Sequence, residues 1–168
     1  MKDMADANRQ LVTATSWPLL EYDYSNGRED GGRAIRLLIV NAGVGPARMR
    51  TLEVSCNGQV VRNSTELLEH CAGYRRAADQ QPVAVHSAFT GKGDVLRAGE
   101  SAAILAISDF SGHEQLWSVL NGMLEKMTLR ACYCSVFNEC WTSDLVTLDP
   151  EPVPHCPKTS SMFGTRVN

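Results

Sequence analysis

No stretch of the sequence is apolar for long enough to cross a membrane. The longest strongly apolar runs, residues 35–40 (interrupted by Arg36) and 102–107, fall far short of the ~20 residues that a spanning helix needs. Basic residues are not in excess either. The chain has 16 Lys and Arg against 19 Asp and Glu, a formal net charge of -3, and no dense basic patch, which argues against a nucleic-acid backbone as partner. No internal repeat, low-complexity block or βαβ periodicity occurs. The first eight residues, Met1-Lys2-Asp3-Met4-Ala5-Asp6-Ala7-Asn8, lack the apolar stretch of a signal peptide.

Catalytic and cofactor motifs are missing in the same way. No Gly-x-Ser-x-Gly elbow exists, because Phe110-Ser111-Gly112 lacks the preceding glycine. His113-Glu114-Gln115-Leu116-Trp117 starts like a zinc-protease helix, but Trp117 stands where the second histidine belongs. Asp109 beside His113 reads as a loop pair, and Glu29-Asp30 and Glu66 with Glu69 read as solvated carboxylates. The stretch Asn41-Ala42-Gly43-Val44-Gly45-Pro46-Ala47 is no phosphate cradle, since Pro46 removes an amide donor and a strand, not a helix, follows. Its glycines suit a kink where a strand changes sheet.

What the chain does have is length for a single domain, 168 residues with 43% hydrophobic and 21% charged, and six cysteines. Residues 4–16 read as a polar helix, ended by Pro18. Strands are expected over residues 19–24, 34–41, 49–55, 83–89, 102–108, 127–134 and 140–147, with a hairpin at Asn57-Gly58. Turns are expected at residues 90–94 and 137–139. Asn63 to Glu66 has capping-box spacing and starts a short helix ending near Gly73; the cap role also accounts for the glycosylation-type triplet Asn63-Ser64-Thr65. Ser111 to Glu114 has the same spacing and predicts a helix over residues 114–125, with Leu116, Val119, Leu120 and Met123 on one face. Trp17, Trp117 and Trp141 read as core or interface anchors.

The expected architecture is mainly β: an antiparallel, immunoglobulin-like β-sandwich over residues 18–148, with two short helical insertions. A helical stalk (residues 1–17) precedes it, and a proline-rich tail (149–168) follows as extended surface chain.

An even cysteine number at this density suits disulfides in an oxidising compartment. Cys134 and Cys140 flank a turn and are placed to meet across a hairpin; Cys56 and Cys71 would staple the first insertion; Cys132 is then left for Cys156. The rival use of the sulfurs is metal binding. His70-Cys71, His155-Cys156 and the Cys132, Cys134, Cys140 group supply zinc- or copper(I)-type ligands, but Cys-x-Cys differs from the usual Cys-x2-Cys of zinc sites.

These features resemble the extracytoplasmic β-sandwich domain of uncharacterised bacterial membrane-anchored proteins. The likeness spans roughly residues 10–156 and is carried by the Trp17-Pro18-Leu19-Leu20 entry, the Asn41 to Ala47 bend and the Cys134 to Trp141 hairpin. It implies a sandwich on the periplasmic face of the inner membrane, tied to the bilayer only through an upstream helix, and implies no activity. The expected function is therefore a non-enzymatic envelope binding or scaffolding module with an envelope protein as partner, and with no cofactor. The alternatives are a metal-binding or thiol-redox protein using Cys132, Cys134 and Cys140, a cytoplasmic location with free or metal-bound thiols, and a hydrolase assembled from distant loops.

Overall fold

The computed structural model describes residues 1–89 and 93–164. It is a β-sandwich of two antiparallel sheets. The smaller sheet has the order β1 (Leu20–Gly27), β2 (Arg33–Asn41), β6 (Ser101–Ile107). The larger one has the order β4 (Gln59–Val61), β3 (Ala47–Cys56), β7 (Thr128–Cys134), β8 (Cys140–Ser143), β9 (Glu151–Val153), with β5 (Val95–Leu96) on the free side of β3. Alternation decides which face is inward. Leu37 and Ile39 of one sheet face Leu52, Val54, Leu129, Ala131 and Tyr133 of the other in a single core.

The Asn57-Gly58 turn holds both residues at positive φ (49° and 76°), which matches the twist of the flanking strands. The chain then enters a short helix, α2 (Ser64–Glu66), which widens into a π-turn over Leu67–Cys71. Asn63 caps it by accepting from the Glu66 amide at 2.9 Å, while Glu66 accepts from the Arg62 amide at 2.8 Å.

Helix α1 (Lys2–Ser16) has no buried residue and stands off the sandwich. No helix among the described residues is long and apolar enough to cross a membrane.

Four expectations are corrected. Residues 83–89 form no strand. This segment runs along β6 and meets it, among the described residues, through the His86–Ala106 bridge and through Ala88 and Ser87 at the Ala103 carbonyl, without forming a ladder. On its other side β6 carries a bulge, Leu37 pairing with Leu105 but Leu38 with Ala103, which β2 accommodates. Second, Ser111 does not cap α3 (Glu114–Asn121). Its hydroxyl and amide are taken by the Asp109 carboxylate at 2.6 and 2.9 Å. Those two donors hold the Asp109 carboxyl below its usual range. Third, α3 stops at Asn121, before a 3-10 turn over Leu124–Lys126; Leu116 and Leu120 are buried, whereas Val119 is exposed.

The fourth correction concerns the tail. Residues 151–162 are exposed or half-buried, as expected of extended surface chain, but the tail does not stay free of the sandwich. Residues 151–153 add β9 to β8, and the chain then straps across the outer face of the larger sheet. Phe163 is fully buried in the core, its amide donating to the Leu52 carbonyl at 2.7 Å on the side of β3 left open between β4 and β5. The turn expected at residues 90–94 has residues 90–92 outside the described residues; Gly93 has φ 106°.

Candidate functional site: a sulfur-lined groove under the tail strap

Cys132 and Cys134 lie two apart on β7, so both side chains leave the outer face of the sheet while Tyr133 enters the core. Register places Cys140 of β8 directly opposite Cys134, with a Cα–Cα distance of 4.0 Å, and the two are disulfide-bonded. After β9 the tail turns back over this face and delivers Cys156 to Cys132, with Cα atoms 5.7 Å apart. The third bridge, Cys56–Cys71, lies at the core side and ties β3 to the π-turn, Cα–Cα 5.8 Å. No cysteine is free. Three cysteine pairs at bonding distance are the chemistry of an oxidising, extracytoplasmic environment.

The two outer bridges touch. The sulfurs of Cys134 and Cys156 are 3.8 Å apart, and those of Cys134, Cys140 and Cys156 lie within 4.8 Å of one another. These three line a groove of about 570 Å³ between the hairpin and the tail. Arg50, His155 and Lys158 line it too, and no carboxylate does among the described residues. The strap is fastened on the far side by the Thr159 hydroxyl, which bonds the Glu53 carboxylate.

Nothing in the spacing of the sequence singles out Arg50 and Lys158. They are about a hundred residues apart, and only the return of the tail over β3 and β7 brings them to one groove. His155, singled out as a metal-type ligand beside Cys156, does reach the groove. His70 does not join the sulfur cluster; its Nδ1 pairs with Gln59 Nε2 at 3.1 Å. His113 is buried and held by the segment that follows the π-turn, Nδ1 to Gln80 Nε2 at 3.2 Å and Nε2 to the Gln81 carbonyl at 2.9 Å. Trp117 donates to the Asn26 and Ala34 carbonyls at 3.3 Å and stacks beneath Arg33, 5.1 Å from its ring centre. Trp141 packs against Tyr133 with ring centres 6.1 Å apart.

A second feature gathers at one end of the sandwich. The Trp17-Pro18 entry and the Asn41 to Ala47 bend form one joint: the amides of Val44 and Gly45 donate to the Trp17 carbonyl at 2.9 and 3.2 Å, and that of Ala42 to the Leu19 carbonyl at 2.8 Å. Buried Asn41 locks it. Its Nδ2 donates to the carbonyls of Gly45 and Leu96 at 2.8 and 3.0 Å, and its Oδ1 accepts from the amides of Gly43 and Leu19 at 3.0 and 3.3 Å. A Cβ on Gly43 would overlap the Pro18–Leu19 backbone, and one on Gly45 would overlap that of Ser16. The glycines thus serve close approach, where β2 of one sheet hands the chain to β3 of the other.

The cysteine hairpin joins the same end. Arg48 donates from Nε to the Ser135 carbonyl at 3.1 Å and bonds the Asn138 side chain, and Thr13 of α1 bonds Glu139 at 3.4 Å. Three apolar side chains are left exposed nearby on these turns: Val44 at 61%, Val136 at 48% and Phe137 at 57%.

Fold and site together define a disulfide-stapled β-sandwich with a basic, sulfur-lined groove on its outer face. No protein-family model, curated protein or solved structure matches the chain.

Proposed function

We propose that the protein is a binding or scaffolding module of the bacterial envelope, working on the periplasmic face of the inner membrane. The observation that carries this reading is the set of three disulfides with no cysteine left over, which suits an oxidising compartment. The end of the sandwich from which α1 departs supports the topology. Val44, Val136 and Phe137 are exposed there, on turns fixed by Asn41 and Arg48. Rigid turns carrying exposed apolar side chains suit a contact surface. In this reading α1 is a stalk leading toward a membrane anchor, and an envelope protein covers the apolar turns.

The rival metal-binding reading is weaker because the sulfurs of Cys132, Cys134, Cys140 and Cys156 are already spent in disulfides. The test is site-specific photocrosslinking in living cells, with the probe at Phe137 or Val44, and at Val60 on the β4 edge as control. A discrete crosslink to an inner-membrane or periplasmic protein from 137 and 44, absent from 60, is the expected result. Crosslinks to cytoplasmic proteins alone, or none from 137 and 44, would overturn the reading.

A further inference from the structure

We propose that the contact between the two outer disulfides makes Cys140 a capture site for an anionic thiol, such as a carboxylate-bearing thiol peptide, with Cys134 and Cys156 passing the displaced bond onward. The inference goes beyond the binding role and does not depend on it. It rests on the geometry of four sulfurs. Cys134 is bonded to Cys140 and Cys156 to Cys132, yet Cys134 and Cys156 are in van der Waals contact at 3.8 Å. Of the hairpin pair, Cys140 is the more accessible, 9% exposed against 3% for Cys134. Arg50 and Lys158 around the groove attract an anionic thiol and favour the thiolate form of the sulfur that leaves.

The steps balance. The incoming thiol gives up its proton, and its thiolate forms a bond to the Cys140 sulfur. The Cys134–Cys140 bond breaks, with the electron pair leaving on Cys134. The Cys134 thiolate then bonds Cys156. The Cys132–Cys156 bond breaks, and its electron pair leaves on Cys132, which takes up a proton. One mixed disulfide on Cys140, one Cys134–Cys156 bridge and one thiol at Cys132 result, with no oxidant or reductant consumed.

The contact matters because of what would otherwise happen. A lone hairpin disulfide opened in this way is restored when its own thiolate re-attacks the mixed disulfide. Here Cys134 has a second disulfide against it, so reversal takes two exchanges instead of one and the adduct on Cys140 outlives that of a lone hairpin. Attack at Cys156 would instead expel Cys132, which does not line the groove and is left beside the sulfur it has just released, ready to close again. The strap stays tied throughout, its knot moved from Cys132 to Cys134.

The experiment treats the oxidised full-length chain with equimolar glutathione, quenches with acid, alkylates free thiols and maps peptides without reduction. The expected product carries glutathione on Cys140, a Cys134–Cys156 link and an alkylated Cys132. Cysteamine, a cationic thiol, should label Cys140 several-fold more slowly. In a C132S/C156S double variant the Cys140 adduct should fall at least several-fold, because Cys134 can then only re-attack. Three results would overturn the proposal: glutathione on Cys156, an adduct on Cys140 with Cys132–Cys156 still intact, or no adduct. Equal or faster labelling by cysteamine would overturn the assigned thiol class.

Discussion

The three bridges should not contribute equally to stability, and their order follows from the chain each one closes. In the chain-entropy view a crosslink removes freedom from the unfolded state in proportion to the logarithm of the loop it closes. The sequence separations are 6 for Cys134–Cys140, 15 for Cys56–Cys71 and 24 for Cys132–Cys156. The corresponding contributions are about 2.2, 3.0 and 3.5 kcal/mol. Replacing each pair by two alanines leaves no odd thiol to scramble. Cys56 and Cys71 pack in the core, so their loss also leaves a cavity and adds to the entropic cost. The hairpin pair joins residues already opposed in the β7–β8 ladder and has least to add. Urea unfolding followed by far-UV circular dichroism reads the result. With a slope of about 2 kcal/mol per molar, the hairpin variant should lose about 1 M in midpoint and the other two about 1.5 M or more. A hairpin variant that loses as much as either of the others would refute the reasoning.

Phe163→Ala should cost about 3–5 kcal/mol, since a fully buried aromatic leaves a cavity; a loss below about 1 kcal/mol in the same urea assay would mean that the tail does not plug the core. Gly45→Ala drives a Cβ into the Ser16 backbone and should cost about 1–3 kcal/mol, with faster amide exchange at residues 16–20; unchanged exchange there would contradict the joint. Asp144 accepts from the amides of Val146 and Thr147, which hold its carboxyl below the usual range. Its folded value is therefore the lower one. The stability it contributes is complete above the unfolded carboxyl value of about 4 and is lost as pH falls through the folded value. Asp144→Asn should flatten the fall of Tm with pH below that point, and an identical slope would show that the turn exerts no such hold.

The strands of the core were legible because alternation reports one buried face, as at Leu52 and Val54 or Leu129 and Ala131. The hairpin at Asn57-Gly58 was legible because two positive φ angles demand such residues. The segment 83–89 misled because its alternation is real, yet alternation does not show whether a ladder forms, and the segment meets β6 through backbone hydrogen bonds at His86 and Ala88 without becoming a strand. Ser111 misled because capping-box spacing cannot show that Asp109, two residues earlier, claims the same hydroxyl. The tail's prolines pointed to extended surface chain but could not foretell Phe163, whose pocket is the open side of β3, a hundred residues away. The cysteine spacing around the hairpin pointed to a local bridge. The basic rim of the groove left no trace in spacing, because Arg50 and Lys158 meet only through tertiary structure.

The central claim is that this sandwich exists with its sulfurs paired. The direct measurement is to alkylate the protein in intact cells at native abundance, before any reductant is added, and count modified cysteines by intact mass. None should be modified before reduction and six after it. Six modified cysteines without reduction would contradict it.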